Sequence, residues 1–211
     1  MTGIPADLRV EVVVVGQLDT NCVLLGLKSS KEVLVVDPGA DLGKIEAVLE
    51  KQKLRPVAVA LTHGHFDHFG AAKALMAKWD VPCYMHRGDE EYAKRAPAVA
   101  LEWIGEPVEL PDQITWLEPG PFEVAGLLLK VAHTPGHSPG SVSFILDGLA
   151  LPGDVLFYEG VGRWDFFGGN YNELMKSIQE ELLSLPDATK VIPGHGPATS
   201  VGHEKRHNPY L

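Results

Sequence analysis

This 211-residue chain has no paired-cysteine motif, no long apolar run and no surplus of positive charge. Its two cysteines, Cys22 and Cys83, stand far apart beside apolar residues. They read as buried thiols rather than a disulfide or a ligand pair, because free cysteine packs as a small hydrophobe. No apolar stretch approaches the roughly 18 residues that cross a bilayer. The start, Met1-Thr2-Gly3-Ile4-Pro5-Ala6-Asp7, has no basic segment ahead of an apolar core. These absences predict a soluble, cytoplasmic protein without a membrane partner. Lys and Arg number 18 against 28 Asp and Glu, a net charge of −10 that opposes a nucleic-acid partner.

What is present suffices for a core. Hydrophobic residues make up 45% of the chain and charged ones 22%, which predicts one globular domain spanning 1–211. Short β-branched runs predict strands at Leu8 to Val15, Cys22 to Leu27 and Val33 to Val36. Leu42, Ile45, Val48 and Leu49 share one helical face, which predicts a helix from Leu42 to Gln52. A buried strand, Val57 to Leu61, then runs into a histidine-rich loop. A helical pattern from Phe69 to Trp79 and a strand from Val81 to His86 follow. Pro97 to Pro111 holds three prolines without a period and reads as an irregular excursion near the site. Strand signals return at Ile114 to Leu117, Leu127 to Ala132, Val142 to Leu146 and Leu149 to Leu151, the last two joined by a tight Asp147-Gly148 turn. A helix from Asn172 to Leu183 and a strand from Lys190 to Ile192 complete the reading.

The chemistry is concentrated in Thr62-His63-Gly64-His65-Phe66-Asp67-His68-Phe69-Gly70. With nine His and twelve Asp placed at random, a His-x-His-x-Asp-His string would arise with odds on the order of one in a thousand. Imidazole and carboxylate are donors that suit zinc, iron or manganese. The bland alternative is a polar loop in which Asp67 caps the next helix. Three later positions repeat one theme, a polar side chain at a strand end beside glycine or proline: His137 in Thr134-Pro135-Gly136-His137-Ser138-Pro139-Gly140, Asp154 in Gly153-Asp154, and His195 in Gly194-His195-Gly196. Small or rigid neighbours let a tight turn aim one side chain inward.

In this order the motifs resemble the metallo-β-lactamase superfamily, and the resemblance covers nearly the whole chain. It implies an α+β fold, a four-layer αββα sandwich of two mixed sheets flanked by helices. It also implies that His63, His65 and His137 hold one divalent metal while Asp67, His68 and His195 hold a second, with Asp154 bridging. Zinc is the favoured metal, with iron or manganese as alternatives. Asn21-Cys22 and Asp37-Pro38-Gly39 look like the family's opening segments. Gly153-Asp154-Val155-Leu156-Phe157 and Gly162-Arg163-Trp164-Asp165-Phe166 look closer to the glyoxalase II branch, in its short bacterial form without the C-terminal helical domain.

That likeness implies hydrolysis of a small-molecule thioester, S-lactoylglutathione or a related hydroxyacyl thioester, through a metal-bridging hydroxide oriented by Asp67. Arg163 stands where the branch places a cationic substrate contact, and Asp165 stands where longer members have Tyr. The alternatives are a persulfide dioxygenase with a single iron, which shares the Gly-Arg-x-Asp-Phe string, and a metal-holding interaction module without turnover. His133 is the outlying histidine best placed to support a ligand, and His86, His203 and His207 read as ordinary.

Overall fold

The computed structural model describes residues 5–211. Two six-stranded sheets lie face to face. The first runs β1 (Leu8–Val15), β2 (Thr20–Leu27), β3 (Glu32–Val36), β4 (Arg55–Ala60), β5 (Cys83–His86) and β6 (Thr115–Leu117), neighbours in that order. The second orders β14 (Thr199–Ser200), β13 (Lys190–Pro193), β10 (Leu149–Gly153), β9 (Val142–Leu146), β8 (Leu127–His133) and β7 (Gly120–Val124). The sheets are mixed: β1 to β3 pair antiparallel and β3 to β6 parallel, while β10 pairs parallel with β13 and antiparallel with β9.

The layers follow from the two-residue period of a strand. In β2 and β3, Val23, Leu25, Leu34 and Val36 turn toward the second sheet, where they meet Leu129, Val131, Phe144, Leu149 and Leu151. Their neighbours Cys22, Leu24, Val33 and Val35 turn to the opposite face, under α1 (Leu42–Gln52), α3 (Ala72–Trp79) and α4 (Glu90–Ile104). On the far face of the second sheet, Ala132, Ile145 and Ala150 pack on Leu174, Ile178 and Leu182 of α5 (Tyr171–Ser177) and the π-turn that prolongs it, Ile178–Leu182. The result is the expected four-layer αββα sandwich. Strands buried on both faces read as continuous apolar runs, which is why they were visible in the sequence. Phe144 is fully buried between the sheets. Phe144→Ala should cost about 3–5 kcal/mol, read as a lower denaturation midpoint.

One expectation is overturned in part. Residues 97–104 are not irregular, since α4 runs unbroken to Ile104 with Pro97 inside it, while 105–111 form no helix or strand, as expected. Proline removes one intrahelical bond and crowds the preceding turn. Burial of Tyr92, Ala93, Ala96 and Ala100 on one face offsets that cost. The cysteines are buried and free as expected, and loss of solvation pushes the Cys83 thiol up to about 12. No helix among the described residues is long and apolar enough to cross a membrane.

Candidate metal centre

The chemistry collects where strand ends of both sheets meet. β4 leads through Thr62 into the histidine loop, β10 ends at Gly153 just before Asp154, and β13 ends at Pro193 just before the His195 turn. β8 ends at His133, four residues ahead of His137, and the turn between them includes Gly136 at φ 130. A Cβ on Gly136 would fall 2.1 Å from the Leu174 nitrogen, so only glycine lets this loop close onto α5.

All seven expected donors converge. His63, His65 and His137 form one group, Asp67, His68 and His195 a second, and His63, His68 and Asp154 a third that joins them. Nδ1 of His65 lies 3.0 Å from Nε2 of both His63 and His137. In the second group Nε2 of His195 lies 3.2 Å from Oδ2 of Asp67 and 3.3 Å from Nε2 of His68. The Asp154 carboxylate reaches both sides, with Oδ1 at 3.5 Å from His68 and Oδ2 at 3.7 Å from His137 and 3.5 Å from His195.

Hydrogen bonds on the outer side of the rings choose the tautomers. Thr62 donates its hydroxyl to Asp37 at 2.7 Å, so its oxygen is free to accept Nδ1–H of His63 at 3.0 Å. His137 donates Nδ1–H to the Arg163 carbonyl at 2.8 Å, His68 to Asp37 at 2.9 Å and His195 to the Leu18 carbonyl at 2.8 Å. Each outer bond leaves the Nε2 of that ring facing inward, the orientation that metal-binding imidazoles need. Burial lowers the pKa of His63 well below the usual imidazole value, and that of His65 to about 3, so both stay neutral. Burial also opposes charge on His68 and His195. Asp154 and Asp67 outweigh it, with Asp37 adding to their effect on His68, and they hold His68 well above the ordinary value and His195 at about 10.

The donor set fits metal ions on an observation independent of motif. Asp154 Oδ1 is buried without a hydrogen-bond partner, a costly state for a carboxylate oxygen unless a cation completes it. Five ring nitrogens facing inward, in contact with one another at 3.0 to 3.3 Å, point the same way. Gly194 keeps the space open, since a Cβ there would meet Asp154 Oδ1 at 2.1 Å and His68 Cε1 at 2.7 Å.

Asp67 does not cap a helix. It lies in the first turn of α2 (Phe66–Phe69), whose N-cap is His65, and its carboxylate faces the cluster, 3.3 Å from the Thr20 hydroxyl. Arg163 lies at the rim with its guanidinium held twice by Asp165, at 2.9 Å each, and stacked 4.0 Å over Phe166. His133 donates to or accepts nothing at the cluster; its Nε2–H reaches the Pro139 carbonyl at 2.8 Å, steadying the His137 loop. His203 pairs with Glu159 at 3.0 Å on the surface.

Two supporting residues were given no role from sequence, although Asn21 was noted within the Asn21-Cys22 string. Asn21 donates to the carbonyls of Pro193 and Gly196, both at 2.9 Å, and so pins the turn that carries His195. Asp89 is fully buried, taking Gly64 N–H at 2.8 Å, the Ser138 hydroxyl at 2.7 Å and Gly140 N–H at 2.6 Å. It clamps the loop of His63 and His65 to the loop of His137. No local signal marks it, because all its partners are remote in sequence.

The fold and this cluster define a metal-binding αββα sandwich. The chain belongs to the metallo-beta-lactamase superfamily, whose sequence profile matches residues 15–195, and members of that superfamily typically hold a dinuclear metal site. It is similar to a probable metallo-hydrolase, YqgX, of Bacillus subtilis, 39% identical over 206 residues that cover 93% of this chain and 94% of that protein. It is also similar to the hydroxyacylglutathione hydrolase GloC of Haemophilus influenzae, 34% identical over 209 residues, 97% of this chain and 98% of that one. A solved structure of TTHA1623 in a di-iron-bound form superposes with a TM-score of 0.87 at 38% identity, covering 95% of this chain and all of that one. Together these support a metallo-hydrolase.

Proposed function

We propose that this chain, acting as one domain over residues 1–211, hydrolyses a hydroxyacyl thioester such as S-lactoylglutathione with two divalent metals. The observation that carries the reading is the shared Asp154, whose two carboxylate oxygens face donor groups on both sides. In it, His63, His65 and His137 would hold one ion and Asp67, His68 and His195 the other, with Asp154 available to both. Zinc is the proposed metal, although the same donors accept iron or manganese. When bound, the pair supplies a water acidic enough to attack at neutral pH and positive charge against the oxyanion that forms at the carbonyl.

The protein's own groups do the rest. Asp67 orients the attacking water through the carboxylate that Thr20 steadies. No separate general acid is required, because a thiol of pKa about 8.5 leaves as thiolate near neutrality. That suits a thioester better than an amide. Arg163 would meet a substrate carboxylate by exchanging it for Asp165. The present pair is exposed on both sides, 58% and 62%, so little is lost in the exchange.

The test pairs metal analysis of the purified protein with two assays. Two metals per chain and cleavage of S-lactoylglutathione are expected. A single iron per chain with oxygen consumption on glutathione persulfide would overturn the reading in favour of a dioxygenase, and tight metal without turnover on either substrate would make the chain a binding module.

A further inference from the structure

One side of the three-histidine group opens onto a wall of aromatic rings. Tyr92 of α4 lies with its ring 5.3 Å from that of His65, and Phe166 lies 5.8 Å from it. Phe167 follows at 5.7 Å from Tyr92, and Trp103, near the end of α4, at 6.0 Å from Phe166. Phe167 is 61% exposed and Trp103 53%. Rings so open to water beside a polar centre mark a contact surface rather than a core. Two guanidinium groups lie across these rings, Arg163 at 4.0 Å over Phe166 and Arg95 at 4.1 Å over Phe167.

The two arginines differ in what their edges do. Asp165 takes the edge of Arg163. Of the six arginines, Arg55, Arg87, Arg163 and Arg206 face carboxylates and Arg9 donates to Gln52. Arg95 is the one that meets neither a carboxylate nor a hydrogen-bond acceptor among the described residues. In a chain of net charge −10, a cation without a partner two ring contacts from the donor cluster stands out. Stacking holds the plane of a guanidinium on a ring face and leaves its N–H fork free for a planar anion.

We propose that Arg95, seated on Phe167, is a second anion-reading residue of the substrate site, in addition to the carboxylate contact of Arg163. It takes the terminal carboxylate or phosphate of the thiol half of the substrate, while Phe167 and Trp103 cover the stem between that anion and the sulfur. This rests on the thioester reading above and names the substrate class within it: thioesters whose thiol carries its negative charge remote from the sulfur. Tyr92 lies between Arg95's ring and His65, so the anion sits two ring contacts away from the cluster. That separation suits a peptide-length or pantetheine-length arm and not a charge beside the reacting bond.

The test uses the metal-loaded protein and three uncleavable thioethers in calorimetric titration: S-propylglutathione, S-propyl-phosphopantetheine and neutral S-propyl-N-acetylcysteamine. At least one anionic probe should bind more tightly than the neutral one, and which of the two prevails tells carboxylate from phosphate. Arg95→Gln should weaken that probe by about tenfold and leave the neutral probe within twofold. Arg95→Lys should recover only part, since an ammonium restores charge without the planar fork. Salt at 1 M should erase the preference of the wild type. On the corresponding thioesters, Arg95→Gln should raise KM by the same factor with kcat unchanged. Equal binding of charged and neutral probes by the wild type, or an Arg95→Gln protein that binds all three as the wild type does, overturns the assignment. If the wild type cleaves no thioester, the reaction is wrong, and the thioether titrations still decide the role of Arg95.

Discussion

His63→Ala and Asp154→Ala are each expected to lower thioester turnover by at least about a thousandfold and to leave the purified protein short of metal. His63 belongs to two of the three donor groups, and Asp154 faces both halves of the cluster. Removing either therefore disturbs both positions rather than one. A loss of about 4 kcal/mol in stabilisation of the transition state corresponds to that factor, since each 1.36 kcal/mol is tenfold. His203→Ala is the matched control, an imidazole paired with Glu159 on the surface and outside the cluster, and it should keep wild-type metal content and rate. Metal analysis by plasma emission and a thioester assay on the three proteins check the set. Activity retained by either of the first two would remove the site from consideration.

The central strands and the donors were legible because each leaves a local mark. A doubly buried strand must be apolar at every position, as Val33 to Val36 is, and its ends show as Asp37-Pro38-Gly39. A donor loop between a strand and a helix must carry its ligands at close spacing, as His63 to His68 does. Two kinds of feature left no such mark. α4 was hidden because Pro97 breaks the helical signal while the stabilising contacts, Ala93, Ala96 and Ala100 in the core under the first sheet, are tertiary. The roles of the site's supports were hidden because a buried polar group is defined by its partners. Asn21 finds its carbonyls 172 and 175 residues away, and Asp89 finds its donors 25, 49 and 51 residues away. The short segments β11 (Leu156–Phe157), β12 (Gly160–Val161) and α6 (Val201–His207) lie below the length at which a period can be read.

Asp89→Ala should be the most damaging change outside the cluster itself. It strands the N–H groups of Gly64 and Gly140, both otherwise held by Asp89, and leaves the Ser138 hydroxyl with Ser141 alone at 2.6 Å. A buried donor without a partner costs about 1–3 kcal/mol, so the total should reach about 3–5 kcal/mol. In a chain of this size that lowers Tm by roughly 10–15 °C. Because the two loops so joined carry His63, His65 and His137, metal affinity should also fall, by about 10- to 100-fold. Asp89→Asn separates the two effects. Its shape is retained, but one of its two ends becomes a donor facing a donor, so an intermediate loss is expected. The pH dependence separates charge from shape. Burial raises the Asp89 pKa above its ordinary value, against the lowering effect of Ser138, Gly64 and Gly140. The folded state therefore binds this proton more readily than the unfolded chain. Asp89's contribution to stability accordingly falls as pH climbs from the ordinary carboxyl range through the raised one, and Asp89→Asn, which cannot ionise, should flatten that slope. Calorimetric unfolding across this range, with metal titrations alongside, reads all three. An Asp89→Ala protein that melts within a few degrees of wild type and takes up metal equally well would show that the loops are held together by something other than this carboxylate.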